Sequence, residues 1–253
     1  MHPKTGDVIA VWFSCGAASA VAIKKTIEKY GDRCSIRVIN NPVAEEDEDN
    51  KRFLRDVEQW IGIKIETAIN PKWPNNSAVE VWEKKKFMSN RRGAPCTLAL
   101  KKNARQHWEK ENRVDWHVLG FTAEEKGRYD RFALTERPNT LPVLIDAGLS
   151  KDQCFEIVKA AEIRLPQIYF LGYPNANCIG CVKATSPTYW NHVQKMHPAI
   201  FAQRAEQSRR IGAKLVCYKK KRMYLDELPQ DAKGRSMKTM NFECGIFCEE
   251  RVR

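Results

Sequence analysis

Residues 7–19 read DVIAVWFSCGAAS, and this stretch decides the fold. Its first half, residues 7–13, is almost continuously apolar, which is typical of a strand buried on both faces of a parallel sheet. The strand stops at a turn of small residues, and the composition of residues 17–30 predicts a helix that ends at Gly31. The stretch therefore predicts the strand and helix of a first crossover unit.

The same alternation continues along the chain. Strands that alternate with helices at this spacing imply right-handed crossovers and a parallel sheet. Strands are predicted over residues 34–40, 64–68, 115–121 and 140–145, and helices over residues 47–60, 77–88, 97–111 and 150–161. We therefore predict an α/β core over residues 1–150, in which helices cover both faces of a parallel sheet.

After Leu165 the pattern changes. An irregular region surrounds Cys178 and Cys181, and helices are predicted over residues 188–196 and 198–210. We predict that residues 151–253 form a mainly helical C-terminal appendage that contains these cysteines.

The overall composition limits the kinds of partner and the compartment that we expect for this protein. The 253 residues include 43 Lys and Arg against 31 Asp and Glu, which gives a formal net charge of +12. Such an excess favours polyanionic partners such as nucleic acid, and a generically basic surface is the alternative. No run approaches the ~18 apolar residues of a membrane helix, and the first residues are polar. We therefore expect a cytoplasmic protein with no membrane partner.

The turn after the first strand has the composition of a phosphate-binding loop. It lies where an open α/β sheet binds ligands, beyond the carboxyl end of a strand. Small residues let the main chain approach phosphate oxygens, and the helix start supplies free N–H donors and a favourable dipole. Ser14 and Ser19 add hydroxyl groups. On spacing alone, a tight turn used only for packing is an equally good interpretation.

The nine cysteines indicate metal or thiol chemistry, because disulfides are rare in a reducing compartment. Cys178 and Cys181 form a C-x₂-C pair, and Cys96 begins a predicted helix, where the pKa of a thiol is expected to fall. Cys244 and Cys248 lie near the C-terminus. Four thiolates suit zinc or a [4Fe–4S] cluster, and the spacing does not choose between them. The cysteines expected only to fill core space are Cys34, Cys154 and Cys217.

Two motifs resemble the ATP pyrophosphatase superfamily. The turn resembles its SGGxDS phosphate loop, with Ser14, Gly16 and Ser19 in place, while Cys15 replaces a glycine and Ala18 stands where that superfamily has aspartate. The wider pattern resembles its phosphoadenosine-phosphosulfate-reductase branch. The matching segments are GFTAEEKGRYDR at 120–131 and ECGI at 243–246, where Phe247 replaces the histidine of the ECG-[IL]-H motif.

The resemblance implies an adenine-nucleotide α-hydrolase-like fold that binds ATP. The adenine of the bound ATP is expected near Asn40. A second phosphate grip is expected at Gly120, Lys126, Arg128 and Arg131. For the three cations of this set, the alternative is a solvated basic loop. The resemblance places the ATP phosphates on Ser14, Cys15, Gly16, Ala17, Ala18 and Ser19. Because position 18 lacks aspartate, Mg²⁺ is expected on Glu45, Glu124, Glu125 or the phosphates themselves.

The resemblance also favours iron over zinc as the metal held by the cysteines. It implies a [4Fe–4S] cluster on Cys96, Cys178, Cys181 and Cys244, with Cys248 as the reactive thiol. A literal transfer of the ECG motif exchanges the roles of Cys244 and Cys248. Cys15 is a further thiol that could carry sulfur.

Three hypotheses of function follow. The first is an ATP pyrophosphatase that adenylates nucleic acid for sulfur incorporation, with DNA phosphorothioate modification preferred and tRNA thiolation as the alternative. Its implied partners are a cysteine desulfurase as sulfur donor, the DNA or tRNA substrate and other modification-complex proteins, while a homodimer is left open. The second is a sulfonucleotide reductase, and the altered ECG motif near the C-terminus argues against it. The third is a non-catalytic metal-binding scaffold.

Three further residues receive structural interpretations. His117 lies in a predicted buried strand and is expected to be a hydrogen-bonded core histidine. Tyr189 and Trp190 follow the cysteine pair and are expected to pack, with stacking on a base as the alternative.

Overall fold

The computed structural model describes residues 2–90 and 93–237. These residues divide into two compact units that interleave along the chain. The first unit contains residues 2–42, 48–69 and 104–170, and the second contains residues 43–47, 70–90, 93–103 and 171–237. The predicted boundary instead divides the chain once, at residue 150, and that division into domains stays a prediction.

The first unit is built on a parallel sheet of five strands in the order β3-β2-β1-β4-β5. The strands are β1 (Val8–Phe13), β2 (Ser35–Asn40), β3 (Ile65–Thr67), β4 (Trp116–Val118) and β5 (Thr140–Leu141). Every pairing is parallel, with Val11 of β1 opposite Val38 of β2 on one side and Val118 of β4 on the other. The predicted α/β fold class is therefore confirmed.

Both units contain helices. They are α1 (Ala17–Tyr30), α2 (Asn50–Ile61), α3 (Ala78–Lys85), α4 (Asn103–Glu111), α5 (Lys126–Thr135), α6 (Val143–Asp146), α7 (Lys151–Ala160), α8 (Gln167–Phe170), α9 (Pro187–Met196) and α10 (Pro198–Ile211). In the described part of the chain, no helix is long and apolar enough to cross a membrane.

The centre of the core is β1 with the helix that follows it. Ile9 and Val11 on one face and Ala10 and Trp12 on the other are at most 5% exposed, as expected for a strand covered on both faces. Ile23 of α1 is fully buried, and burying one such side chain stabilises the fold by about 1.5–3 kcal/mol. The strand is therefore anchored from both sides up to the residue where the small-residue turn begins.

Several elements differ from the predictions. The predicted strand 140–145 is wrong beyond β5, because Pro142 has no N–H to donate; the chain turns into α6, where Asp146 donates to the carbonyl of Pro142 at 2.8 Å. The predicted helix 97–111 is a π-helical segment, Thr97–Lys102, followed by α4. The helix α5 was not predicted.

The second unit combines helices with a two-stranded hairpin. Ser77 caps α3 as predicted, because its side chain accepts the N–H of Glu80. β6 (Val216–Tyr218) pairs with β7 (Lys221–Met223) in an antiparallel arrangement. The buried Trp82 and Trp190 supply much of the apolar interior of this unit.

Candidate nucleotide-binding turn and cysteine loop

The turn after β1 has a backbone conformation that its sequence does not indicate. Cys15 adopts a left-handed conformation, with φ of 56°, and is only 2% exposed. Asn40, at the end of β2, donates to the carbonyl of Phe13 at 2.8 Å and to the thiol of Cys15 at 3.6 Å. The predicted residue Asn40 is therefore part of the support of the turn.

Two serines close the turn over the start of α1. The main-chain N–H of Ser14 donates to Oγ of Ser19 at 3.2 Å, and the two hydroxyl oxygens lie 3.1 Å apart. Ser19 in turn donates to the carbonyl of Gly16 at 2.9 Å, so its hydroxyl links Ser14 to the start of α1. The first N–H groups of α1 have no partner within the helix, and the helix dipole favours an anion there. The turn is thus shaped to accept phosphate oxygens.

Gly120 lets a second loop approach the turn closely. A Cβ atom at this position would lie 2.8 Å from the main-chain nitrogen of Ser19 and 3.1 Å from the carbonyl carbon of Ala18. Gly120 follows β4, the neighbour of β1 on the side opposite β2. This is the switch point of the sheet, the usual ligand position in such folds.

Tyr169 of α8 contacts this turn, and it was not predicted from the sequence as a site residue. Its hydroxyl oxygen accepts the N–H of Ala17 at 3.4 Å and would lie 3.1 Å from a Cβ atom at Gly16. Its ring packs against Phe155, with centroids 4.9 Å apart. Tyr169 lies 152 positions beyond Ala17 in sequence, so no local pattern could have indicated the contact.

The predicted second phosphate grip lies on α5 rather than on a basic loop. Lys126 forms an ion pair with Asp130 at 2.8 Å, and Arg128 forms one with Glu125 at 2.7 Å. Arg131 donates to a main-chain carbonyl of its own helix. Each cation therefore has a partner within its own segment, and its role as a phosphate ligand stays a prediction.

The carboxylates considered for Mg²⁺ also have partners. Glu45 accepts hydrogen bonds from the hydroxyl of Ser77 at 2.7 Å and from the N–H of Ala78 at 2.8 Å, so it serves the start of α3. Glu124 accepts the N–H of Lys151 at 3.2 Å. Glu125 completes a capping box and pairs with a neighbouring arginine.

His117 is the core histidine that was predicted. Its side chain is 1% exposed, its Nδ1 accepts the indole N–H of Trp12 at 3.2 Å, and its Nε2 lies 3.6 Å from a carboxylate oxygen of Glu109. Burial, reinforced by the charges of Arg137 and Arg105, lowers the pKa of His117 to about 3. The imidazole is therefore neutral at physiological pH.

The cysteine loop, residues 178–181, lies in the second unit. Cys178 and Cys181 are both half-buried, and Gly180 between them has a φ of 69°. The main-chain N–H of Cys181 donates to the hydroxyl of Tyr189 at 2.8 Å. Burial raises the pKa of Tyr189 well above its usual value, so the phenol stays neutral.

A buried arginine lies against this loop. Arg204 is 2% exposed, its guanidinium lies 4.4 Å from the ring centre of Trp82, and it donates to Gln207 at 2.8 Å. Its Nε would lie 3.6 Å from a Cβ atom at Gly180. Burial lowers the pKa of Arg204, while Glu45 and the nearby thiols oppose that effect. A cation in this position favours the thiolate form that metal ligands require.

The loop borders a small cavity. Its lining residues are Tyr173, Pro174, Asn175, Asn177, Cys178 and Tyr189. Tyr189 and Trp190 are at most 1% exposed, so their predicted packing role is confirmed. Trp190 also donates its indole N–H to the carbonyl of Ala184 at 2.8 Å.

The described side chains of this region supply part of the ligand set that a metal ion or cluster needs. Cys178 and Cys181 supply two thiols of the kind that iron and zinc bind, next to a buried cation. Cys96 is half-buried and directly precedes the π-helical segment. Within residues 2–90 and 93–237, no three His, Cys, Asp or Glu side chains form a group that could hold a metal ion. The predicted Cys244 and Cys248 lie outside the described residues.

Of the three cysteines expected to fill core space, two do so. Cys34 and Cys154 are buried and Cys217 is half-buried. Burial raises the pKa of the Cys154 thiol to about 11, so this thiol is unreactive.

Comparison with known proteins supports the fold. No protein-family model matches the chain. No curated protein matches it either. Among solved structures, it is similar to the U34-tRNA thiolase NcsA from Methanococcus maripaludis with its [4Fe–4S] cluster: TM-score 0.50, 12% identity, covering 83% of this chain and 74% of that one. A glutamine-dependent NAD⁺ synthetase from Acinetobacter baumannii, in complex with ADP, gives a TM-score of 0.38 at 13% identity, covering 94% of this chain and 47% of that one.

Proposed function

We propose that this chain is an ATP pyrophosphatase that activates a nucleic acid for sulfur incorporation. The observation that carries the proposal is the turn after β1, which lies at the switch point of the sheet and is approached so closely by Gly120 that a Cβ atom there would lie 2.8 Å from the main-chain nitrogen of Ser19. The fold shared with a tRNA thiolase supports ATP-dependent sulfur transfer. The net charge of +12 supports a polyanionic acceptor.

The turn explains how ATP would be cleaved between its α and β phosphates. An oxygen of the acceptor attacks the α-phosphorus, and pyrophosphate leaves. The N–H groups at the start of α1 and the hydroxyl of Ser14 stabilise the charge that develops on the departing pyrophosphate. The terminal sulfur of a cysteine persulfide then displaces AMP, which departs with the acceptor oxygen; a second thiol cleaves the S–S bond, which leaves the sulfur on the acceptor, and an external thiol reductant reduces the disulfide that forms. Mg²⁺ is held mainly by the phosphates themselves, since the candidate carboxylates have other partners.

The cysteine loop would hold the iron–sulfur group of this reaction. Cys178 and Cys181 bind two of its positions, and Cys96 and Cys244 complete the set in our proposal, with Arg204 offsetting the negative charge of the thiolates. When bound, a [4Fe–4S] cluster supplies a site that can hold sulfur for transfer. Cys248 and Cys15 are the proposed sulfur-carrying thiols.

Two acceptors belong to this proposal. DNA phosphorothioate modification is the first, and it implies a cysteine desulfurase and other modification-complex proteins as partners. tRNA thiolation is the second, and the substrate of the thiolase neighbour favours it.

The test is a sulfur-transfer reaction with both acceptors. Anaerobically purified protein is incubated with ATP, cysteine, a desulfurase and either duplex DNA or tRNA, and the digested products are analysed by mass spectrometry. We expect an ATP-dependent phosphorothioate or thionucleoside that the Gly16→Val variant fails to form. Reduction of phosphoadenosine phosphosulfate to sulfite, with neither nucleic acid modified, would reject the proposal in favour of a sulfonucleotide reductase.

A further inference from the structure

The hairpin of β6 and β7 has a turn made of two lysines. Tyr218 pairs with Lys221, so Lys219 and Lys220 are the two turn residues. Both adopt left-handed backbone, with φ of 46° and 64°. A two-residue turn with positive φ at both positions normally takes Asn-Gly, because a side chain such as lysine is strained in this region. The turn therefore keeps two cations where other residues would be more stable.

The hairpin tip, residues 219–222, carries four consecutive cations. All four side chains belong to exposed residues. The ammonium of Lys219 lies 5.2 Å from the ring centre of Tyr218, and Arg222 donates to the carbonyl of Leu215 at 3.0 Å. Among the described residues, no carboxylate forms an ion pair with the tip. Its positive charge is therefore available to a partner.

The basic residues at the end of α10 behave differently. Arg209 pairs with Asp226 and Glu227, each at 2.9 Å. Arg210 pairs with Glu83 and with Glu206. These charges are neutralised within the unit, in contrast to those of the hairpin tip.

We propose that the hairpin tip binds the phosphodiester backbone of nucleic acid. Lysine and arginine side chains that release counterions from phosphates are the usual source of such binding. Attachment to a membrane surface would instead call for apolar side chains that enter the lipid, and the tip has none. The inference rests on the proposed function for the choice of nucleic acid, and it adds the surface that docks it.

The test compares two variants with equal loss of charge. Lys219→Gln/Lys220→Gln/Lys221→Gln changes the tip, and Lys84→Gln/Lys85→Gln/Lys86→Gln changes an exposed run on and after α3; each lowers the net charge of +12 by three. Affinity for labelled duplex DNA and for a folded RNA with the same number of phosphates is measured without ATP at several salt concentrations. We expect the tip variant to bind about 10-fold more weakly and its salt slope to fall by about 2–3, at ~0.9 for each duplex phosphate contact. The α3 variant should change affinity less than about twofold.

A second variant separates binding from folding. Lys219→Asn/Lys220→Gly installs the residues that this turn prefers, so the protein should unfold at a higher temperature while it binds nucleic acid more weakly. A merely structural role for the lysines would give the higher unfolding temperature with unchanged binding, and that result would overturn the inference.

Other outcomes are equally decisive. Equal weakening in both triple variants would mean that net charge alone acts, and binding to anionic phospholipid vesicles but not to nucleic acid would identify a different partner; either result rejects the tip as the docking surface. A preference for DNA or for RNA identifies the source of the phosphodiester and supports the inference in both cases. Because no ATP is present, loss of pyrophosphatase activity would reject the proposed function and leave this result standing.

Discussion

The turn after β1 and the cysteine loop make opposite demands on their residues. In the proposed function, the groups that act at the turn are main-chain N–H donors, and the side chains around them must stay small; a Cβ atom on Gly120 would meet main-chain atoms at 2.8–3.1 Å. The groups proposed to act at the cysteine loop are the thiols of Cys178 and Cys181, supported by the buried charge of Arg204. Added volume should therefore destroy the first site, and loss of sulfur the second.

The largest expected effect is on metal content. Cys178→Ser preserves the shape of the loop but removes a soft ligand, so iron per chain after anaerobic purification should fall to background, while affinity for an ATP analogue stays unchanged. Cys217→Ser, which changes another half-buried cysteine of the second unit, should keep its iron. Iron retained in Cys178→Ser, or zinc found in the unaltered protein, would contradict the assignment.

The next effect concerns volume at the turn. Gly120→Ala places a methyl group against the main chain of Ser19, which cannot move aside as a flexible side chain could. We expect affinity for an ATP analogue, measured by calorimetry, to fall about 30-fold, equivalent to ~2 kcal/mol. The matched control is Gly127→Ala, where a Cβ atom meets nothing within 4 Å, and it should leave affinity unaltered. If both variants bind alike, the close approach has no role in binding.

A smaller effect tests the residue that sequence reasoning missed. Gly16→Ala brings a methyl group to 3.1 Å from the hydroxyl of Tyr169 and should weaken binding of the ATP analogue about 5-fold. Tyr169→Phe removes that hydroxyl, so the double variant should recover most of the loss in a double-mutant cycle. Additive effects of the two changes would show that the contact does not control the turn.

The last prediction concerns stability rather than binding, and it is a pH dependence of the core of the first unit. The pKa of His117 is about 3 in the folded chain, against about 6.5 when unfolded, so the unfolded chain binds more protons between these values. The contribution is complete above pH 6.5 and is lost as the pH falls toward 3. Between pH 7.5 and 5.0 we expect this group to lower the free energy of unfolding by about 2 kcal/mol, measured with urea. His117→Gln should reduce that difference, whereas the exposed-site variant His107→Gln should keep it.

For these two sites, the sequence predicts the strand, the helix and the cysteine motif better than it predicts the contacts with distant residues that hold them in place. The apolar run of β1 and the helical composition of residues 17–30 determine the strand and α1 through local burial and capping, and both were predicted to within one residue. The left-handed Cys15 and the contact of Tyr169 with Ala17 were not, because they depend on packing between distant segments. The lysine turn of the hairpin also escaped prediction, since its residues are the opposite of those its geometry favours.

The cysteine loop shows the same limit in another form. Its C-x₂-C spacing is local and was read from the sequence, but Arg204, which lies against Gly180, is 24 positions away and looks like any surface arginine of a helix. Only the fold shows that its guanidinium is buried over Trp82.

The most direct test of the central claim is the identity of the products formed from ATP. The purified protein is incubated with Mg²⁺, a nucleic-acid acceptor, cysteine, a desulfurase and ATP labelled in the α-phosphate; the nucleotides are separated by chromatography, and pyrophosphate is measured by an enzyme-coupled assay. We predict AMP and an equal amount of pyrophosphate, with neither formed by Gly16→Val. Formation of ADP and phosphate, or the same products at the same rate from Gly16→Val, would contradict the claim that the turn after β1 holds the triphosphate for cleavage at its α-phosphorus.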